Sequence, residues 1–412
     1  MDSAFAGGGW SRLRWEKRMH LVSVDNVVSG AILGRSLYNE RMDLMLATGY
    51  KLTDQILHLL QEKGFTYIYV MDQVADDIIP EEVINTTLRQ AATKRVGDAF
   101  EQVRQNPIFK TIKPSELKKH LDEDPKLKNL LNMSQFRTLA VNIIEEIFAK
   151  NIRMFSELPL RSDDGYEVQH AIDTAVLCLL IGQHLGMLAP ELRSLVTAAL
   201  LHDVGKSVIE KYLASMKDHT EADAEAIHKE HPTYSMLLVK GSDESSFKEQ
   251  VTVQQHHEQL DGKGYPGGLK ADDLPPMKKA SAEEGRQIFR HAQILAVANR
   301  YDNLVSGAFD GIMRSPDKAL ELMVLEAGEI WNSHAVRSLV AVVQLFPIGT
   351  RVRVMQTDTP DIAGYYGVVI ANNEDFPSKP IVILTHNSVQ QQVQPMKFDF
   401  KLDHRIKLEL VL

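Results

Sequence analysis

Two adjacent imidazoles and a carboxylate, His256-His257-Glu258, run straight into a glycine-rich turn, Asp261-Gly262-Lys263-Gly264-Tyr265-Pro266-Gly267-Gly268. Upstream, an apolar helical stretch ends in Leu200-Leu201-His202-Asp203-Val204-Gly205-Lys206. Read together, the two fragments are halves of one metal site, so the chain must fold to bring the ends of two helices to a common point. An imidazole next to a carboxylate offers one nitrogen ligand and one group with two oxygens. Such a carboxylate can bridge two cations, which a histidine cannot. His256 and His257 add two nitrogens from the end of a helix read over Phe247 to Gln255. His231, before Pro232, and His170, in Glu167-Val168-Gln169-His170, lie on further helical segments. Mixed imidazole and carboxylate ligation suits zinc, iron or manganese better than calcium or magnesium.

The rest of the chain bounds the fold. At 412 residues it is long enough for two or three domains, and 44% hydrophobic with 25% charged residues is ordinary for a globular protein. No run approaches the roughly 18 apolar residues of a membrane span. Met1 to Trp10 is glycine-rich without a long apolar core, so no secretory signal is expected. The single cysteine, Cys178, sits in an apolar run and reads as a buried core thiol, which fits a reducing cytoplasm. A net charge of −9 argues against a broad surface for DNA or RNA.

Four regions separate by pattern. An α/β module is expected over 18–75. Its strands are Leu21 to Val24 and Phe65 to Val70. Its helix runs from Thr53 to Lys63, with Thr53 as N-cap, Gly64 as C-cap, and Ile56, Leu59 and Leu60 on the inward face. A charged helical connector and packing element follows over 80–158, with Glu82 to Arg104 and Gln135 to Phe155 as its long helices. Residues 160–345 read as amphipathic helices holding every motif. Residues 346–412 read as a small β element, with short period-two runs at Val352 and Val354, Val368 to Ile370, Ile381 to Leu384, and Ile406 to Leu410.

The His-Asp pair with His-His-Glu and Asp-Gly-x-Gly-Tyr-Pro resembles the HD-GYP family of metal-dependent phosphohydrolases over roughly residues 160 to 345. The resemblance implies a mainly α fold with an HD-type helical bundle. It also implies a cyclic di-GMP phosphodiesterase that yields linear pGpG, and GMP on further cleavage, through water activated by two metals. Carried over by position, the metal ligands are His170, His202, Asp203, His231, His256, His257 and Asn299, with Asp203 bridging. One ion would sit among His170, His202, Asp203 and Asn299, and the other among Asp203, His231, His256 and His257. Two divalent transition-metal ions, iron or manganese, are the expected cofactors.

Asp203 and Lys206 are the catalytic candidates. Lys206 would add a point charge near phosphate; the alternative is a lysine satisfying carbonyls at a helix C-terminus. Asp261, Gly262, Gly264, Tyr265 and Pro266 form the loop expected to line the site or to dock diguanylate cyclase (GGDEF) domains. Glu258 and Asp261 are expected to hold that loop. The N-terminal module is expected to receive a signal or to mediate homodimerisation.

Departures from the family are specific. The helix Ile294-Leu295-Ala296-Val297-Ala298-Asn299-Arg300-Tyr301-Asp302 carries Asn299 where the family has a ligating aspartate. An amide oxygen brings no negative charge, so the ion beside it should be the labile one. Tyr166 stands where some relatives place a glutamate for a third ion. Ala308 and Gly311 replace basic residues that grip substrate phosphate, with Arg300 or Arg314 as substitutes, and Ser235 replaces a glycine. The segment Ala271 to Arg286 reads as a loop over the site. These departures sustain two alternatives: a degenerate relative serving as nucleotide sensor or partner scaffold, and a phosphodiesterase for another cyclic nucleotide.

Overall fold

The computed structural model describes residues 19–39, 43–71, 83–110, 116, 119–120, 124, 127–156, 166–215, 220–242, 244–276, 287–308, 310–373 and 376–411. The part of the Ala271 to Arg286 segment at 277–286 lies outside the described residues. The chain is mainly α, with small sheets at either end.

In the N-terminal unit, β1 (Met19–Ser23) pairs antiparallel with β4 (Tyr67–Met71), and β2 (Leu37–Tyr38) with β3 (Leu44–Leu46). Helix α1 (Asp54–Glu62) starts where the Thr53 hydroxyl accepts the Ile56 N–H, and ends where Gly64 takes φ +75°, a conformation glycine adopts without cost. The inward face differs from the sequence reading. Leu57 and Leu60 are buried and Ile56 is half-buried, whereas Leu59 is 46% exposed. The strands on one side of the helix set its rotation, which periodicity alone does not.

The central unit comprises α2 (Thr86–Gln105), α3 (Met133–Ala149), α4 (Tyr166–His184), α5 (Ala189–Ala199), α6 (Lys206–Ser215), α7 (Glu221–His228), α8 (His231–Lys240), α9 (Phe247–Gln254), α10 (Arg290–Ser306), α11 (Pro316–Glu326) and α12 (Ser333–Val342). One hydrophobic core runs through it from Val83 to Val343. Helix α4 is buried all round from His170 to Gly182, the pattern of a central helix with neighbours on every side. The charged helices α2 and α3 belong to this same core through Val96, Phe100, Phe136 and Ile143. Burying Phe100 or Phe136 contributes about 1.5–3 kcal/mol each.

Ion pairs lock these helices to those bearing the motifs. Arg89 on α2 reaches Asp173 on α4 at 2.9 Å. Arg137 on α3 holds Glu249 on α9 with two hydrogen bonds, at 3.0 and 2.8 Å. Glu249 is 1% exposed and also accepts the Ser246 N–H in a capping box.

The C-terminal unit is a five-stranded antiparallel sheet of β5 (Arg351–Gln356), β6 (Tyr366–Asn373), β7 (Phe376–His386), β8 (Gln392–Asp399) and β9 (Lys407–Leu410), in the order β8-β7-β6-β5-β9. Its core is Phe346, Val352, Val354, Val369, Val382, Leu384, Phe400 and Leu408. The sequence reading missed β8. That strand is polar, contains Pro395 and, among the described residues, pairs only with β7, as an edge strand tolerates. The Leu21 N–H donates to the Gly349 carbonyl at 2.9 Å, and the Gly349 N–H to Val369, so the first strand meets the start of this unit.

Two predictions follow from this packing. Arg137→Met strands a buried carboxylate whose only remaining support is its own helix start. Chemical denaturation should show a loss of roughly 2–3 kcal/mol; unchanged stability would refute the role given to the pair. His291 on α10 is fully buried with neither ring nitrogen hydrogen-bonded among the described residues, and burial, then Arg290 and Lys248, push its pKa down to about 3. Below about pH 6.5 the unfolded chain takes a proton that the folded state refuses. Its contribution is therefore full above pH ~6.5 and is lost as pH falls towards 3, at about 1.4 kcal/mol per unit. His291→Leu should remove one proton from that slope in urea titrations between pH 7.5 and 5, and parallel slopes would contradict it.

Candidate metal centre

Each motif residue sits at a helix end or on the central helix. His202 and Asp203 occupy the turn between α5 and α6, and Leu195, Val196 and Ala199 are buried on α5. His231 opens α8, followed by Pro232, whose missing N–H is harmless in a first turn. His256 and His257 follow α9, and His170 lies in the first half of α4. Gly205 lets these elements meet. A Cβ there would collide with the His231 carbonyl and the Ser235 backbone. The Gly205 N–H instead donates to Ser235 Oγ at 2.8 Å, which gives the serine at this departure position a structural task.

The geometry centres on Asp203, which is 1% exposed. Its Oδ2 lies 3.2 Å from His202 Nε2 and 3.5 Å from His170 Nε2. Its Oδ1 lies 3.1 Å from His231 Nε2 and 3.6 Å from His256 Nε2. The potential ligand atoms of His170, His202 and Asp203 lie within 4.8 Å of one another, and so do those of Asp203, His231, His256 and His257. The carboxylate therefore faces one imidazole set with each oxygen.

Tautomers make the case for cations. His202, His231 and His256 each place Nδ1 against the carbonyl three residues earlier, of Ala199, His228 and Val253, at 2.6–2.7 Å. A carbonyl only accepts, so Nδ1 carries the proton and Nε2 presents a lone pair. His170 Nδ1 likewise donates to Asp302 Oδ2 at 2.6 Å. Lone pairs thus converge, with His170 and His202 Nε2 3.2 Å apart and His231 and His256 Nε2 3.3 Å apart. Asp203 Oδ1 has no hydrogen-bond donor among the described residues. Burial pushes His231 down to about 3 and His256 to about 4, and lowers His170 and His257, so these four imidazoles are neutral. Burial opposes ionisation of Asp203, but the adjacent positive charge of Lys206 helps hold the carboxyl well below its usual range. Neutral imidazoles around a buried carboxylate with an orphaned oxygen are the donor set that divalent transition metals take.

The glycine-rich loop is tied to this centre. Glu258, 2% exposed, accepts the Gly267 N–H at 2.6 Å and the Leu269 N–H at 2.7 Å. Asp261 accepts the Lys263 N–H at 2.9 Å. Tyr265 stacks on His257 with ring centroids 4.5 Å apart, and its N–H donates to the His257 carbonyl. A Cβ on Gly264 would strike the backbone of residues 257–259, so the turn admits only glycine.

Several expectations change. Lys206 is the first residue of α6, not a helix C-terminal lysine, and its ammonium lies 2.6 Å from Asp203 Oδ2. Arg300 pairs with Glu326 at 2.9 Å and Arg314 with Asp310 at 2.5 Å, so both proposed replacements for the basic residues missing at Ala308 and Gly311 are engaged elsewhere. Asn299 is 3% exposed, and its Oδ1 accepts the Asn303 amide at 2.8 Å. Tyr166 stacks on His170 and donates to Asn303 Oδ1 at 2.7 Å. Glu167 pairs with Arg104 at 3.1 Å, and burial, with Glu210 next, raises its pKa to about 7. Asp302, which orients His170, was missed as a site residue. Its signal was that it is the one carboxylate in the stretch Arg290 to Ser306.

Residues 142–280 match the HD domain family. The chain is 28% identical over 161 residues to the cyclic di-GMP phosphodiesterase response regulator RpfG of Xanthomonas campestris, covering 39% of each. It is 26% identical over 222 residues to a cyclic di-GMP phosphodiesterase of Pseudomonas aeruginosa, covering 52% of this chain and 49% of the relative. It is 27% identical over 208 residues to 3′3′-cGAMP-specific phosphodiesterase 1 of Vibrio cholerae, covering 46% of each. The chain thus spans less than half the length of each of these relatives.

Asp302→Asn keeps the shape but weakens the acceptor that fixes the His170 tautomer. Chelator competition should release bound metal about 10–100-fold more readily than from the wild type. Retention equal to the wild type would remove Asp302 from the centre.

Proposed function

We propose that this chain, which carries an HD domain of the HD-GYP kind, is a metal-dependent phosphodiesterase that opens cyclic di-GMP to linear pGpG and cleaves further to GMP. The observation that carries the reading is the division of Asp203 between two imidazole sets, Oδ2 towards His170 and His202, Oδ1 towards His231 and His256. Iron or manganese held there would supply an activated water and neutralise charge on phosphate. The residues contribute the rest. His202, His231 and His256 keep Nε2 free because their Nδ1 protons are committed to backbone carbonyls. Lys206, 20% exposed beside Asp203, offers a point charge to an incoming phosphate. Glu258 holds the Tyr265-Pro266 loop beside His257, where it lines the site and presents a surface for GGDEF domains or a second copy of the chain.

Asn299 favours unequal ions. It adds no charge, and its oxygen already accepts a hydrogen bond. The ion among His170, His202, Asp203 and Asn299 is therefore the weaker, and metal analysis of purified protein should find one ion tightly held per chain.

A second reading has specific support. With Ala308 and Gly311 in place of cations and both Arg300 and Arg314 committed to carboxylates, grip on substrate phosphate is reduced. That favours a weakly active or inactive relative acting as sensor or scaffold. Hydrolysis assays with cyclic di-GMP in manganese or iron(II) separate the two. Turnover that is abolished in Asp203→Ala and rises in Asn299→Asp is expected. No turnover by the wild type and none gained by Asn299→Asp would leave the scaffold reading. The same assay with 3′3′-cGAMP reports a shifted substrate.

A further inference from the structure

One residue beside the metal centre belongs to none of the motifs. His228 closes α7 and is exposed, yet its ring centroid lies 5.0 Å from that of His231, which is 0% exposed. A ring open to solvent on one side and set against a fully buried imidazole on the other marks a way from solvent to the ligands. We infer that the His228 side chain donates a hydrogen bond to a phosphate oxygen of the substrate. The inference rests on the phosphodiesterase reading and says where that substrate is gripped.

The missing cations define the side that lacks a grip. Ala308 and Gly311 follow the end of α10, where Ser306 Oγ lies 3.2 Å from the hydroxyl of Tyr166, the residue stacked on His170. They therefore leave a gap on the His170 side of Asp203. His228 stands on the other side, against the imidazole that faces Asp203 Oδ1. Lys206, Asp203 and Glu210 are the charged groups that act on its ring. A phosphate brought to the centre thus meets Lys206 and, on the His231 side, His228.

The ring is also uncommitted. The backbone carbonyl of His228 accepts the His231 Nδ1 proton at 2.7 Å, but neither ring nitrogen of His228 makes a hydrogen bond among the described residues. The carboxylates around it are taken, Glu210 by Arg104 at 3.1 Å and Glu225 by Lys229 at 2.7 Å. Imidazole carries an N–H in either neutral tautomer, so the donor is present without a change of protonation. Donation to an anionic oxygen is stronger than donation to a neutral one. Because His228 orients His231 through its backbone, a change of side chain leaves that tautomer in place.

The test sets His228→Leu, which removes the donor, against His228→Gln, which keeps an N–H. Full-length protein loaded with manganese is assayed for hydrolysis of cyclic di-GMP. Calorimetry measures binding of a hydrolysis-resistant phosphorothioate analogue of the same dinucleotide. His228→Leu should raise KM and weaken analogue binding about tenfold or more, with kcat within about twofold of the wild type. His228→Gln should recover most of the loss, and both variants should bind as much manganese as the wild type. Wild-type KM and affinity in His228→Leu, a loss carried by kcat alone, or no recovery in His228→Gln would overturn the inference. Loss of manganese in His228→Leu would do so too, by making the side chain a support for His231. The wild type separates the two failures. If it neither hydrolyses nor binds, the phosphodiesterase reading falls and this inference with it; if it does either and His228→Leu matches it, this inference falls alone.

Discussion

One buried carboxylate organises this protein. Asp203 is out of solvent, ionised, and short of donors on Oδ1. A charge in that position is tolerated only where opposite charge meets it. Lys206 meets it on one oxygen. On both oxygens it faces imidazole lone pairs whose protons are spent on backbone carbonyls or on Asp302. The arrangement is electrostatically incomplete without cations, and it explains why four helix ends and turns converge at this point.

Holding those ends together falls to packing outside the motifs. Arg137 reaches across to Glu249 at the start of the helix that delivers His256 and His257, while Arg89 pins Asp173 on the helix that delivers His170. Helices α2 and α3, which carry no ligand, thereby fix the distance between two ligand-bearing helices. Gly205 and Gly264 do the equivalent at the turns, where any side chain would push backbone segments apart.

Two of the departures from the family pattern, Asn299 and Tyr166, belong to one connected patch. With Asn303 and Ser306 they make a hydrogen-bonded run beside His170 and Asp302. A neutral amide at residue 299 is compatible with its neighbours because Asn303 donates to it. The charge lost at residue 299 therefore lies in the network beside His170 and Asp302, whereas His231, His256 and His257 keep the residues of the family pattern.

Much of this was legible in the sequence. His202-Asp203 and His256-His257-Glu258 announce themselves because ligand types cluster at short spacing next to glycine, and Cys178 and the caps of α1 follow local rules. The mainly α centre and the β character of the last residues were readable from periodicity. Other features were not. The rotation of α1, the strand Gln392–Asp399, the service of Asp302 to His170 and the engagement of Arg300 and Arg314 all depend on partners distant in the chain. Residue types and local spacing determined which side chains were able to ligate metal, but placed helix ends only approximately: the stretches read as Glu82 to Arg104 and Gln135 to Phe155 are helical over Thr86–Gln105 and Met133–Ala149. Only the tertiary structure decided which oxygen of Asp203 faces which imidazole, and which cations are free, because both follow from contacts across the fold.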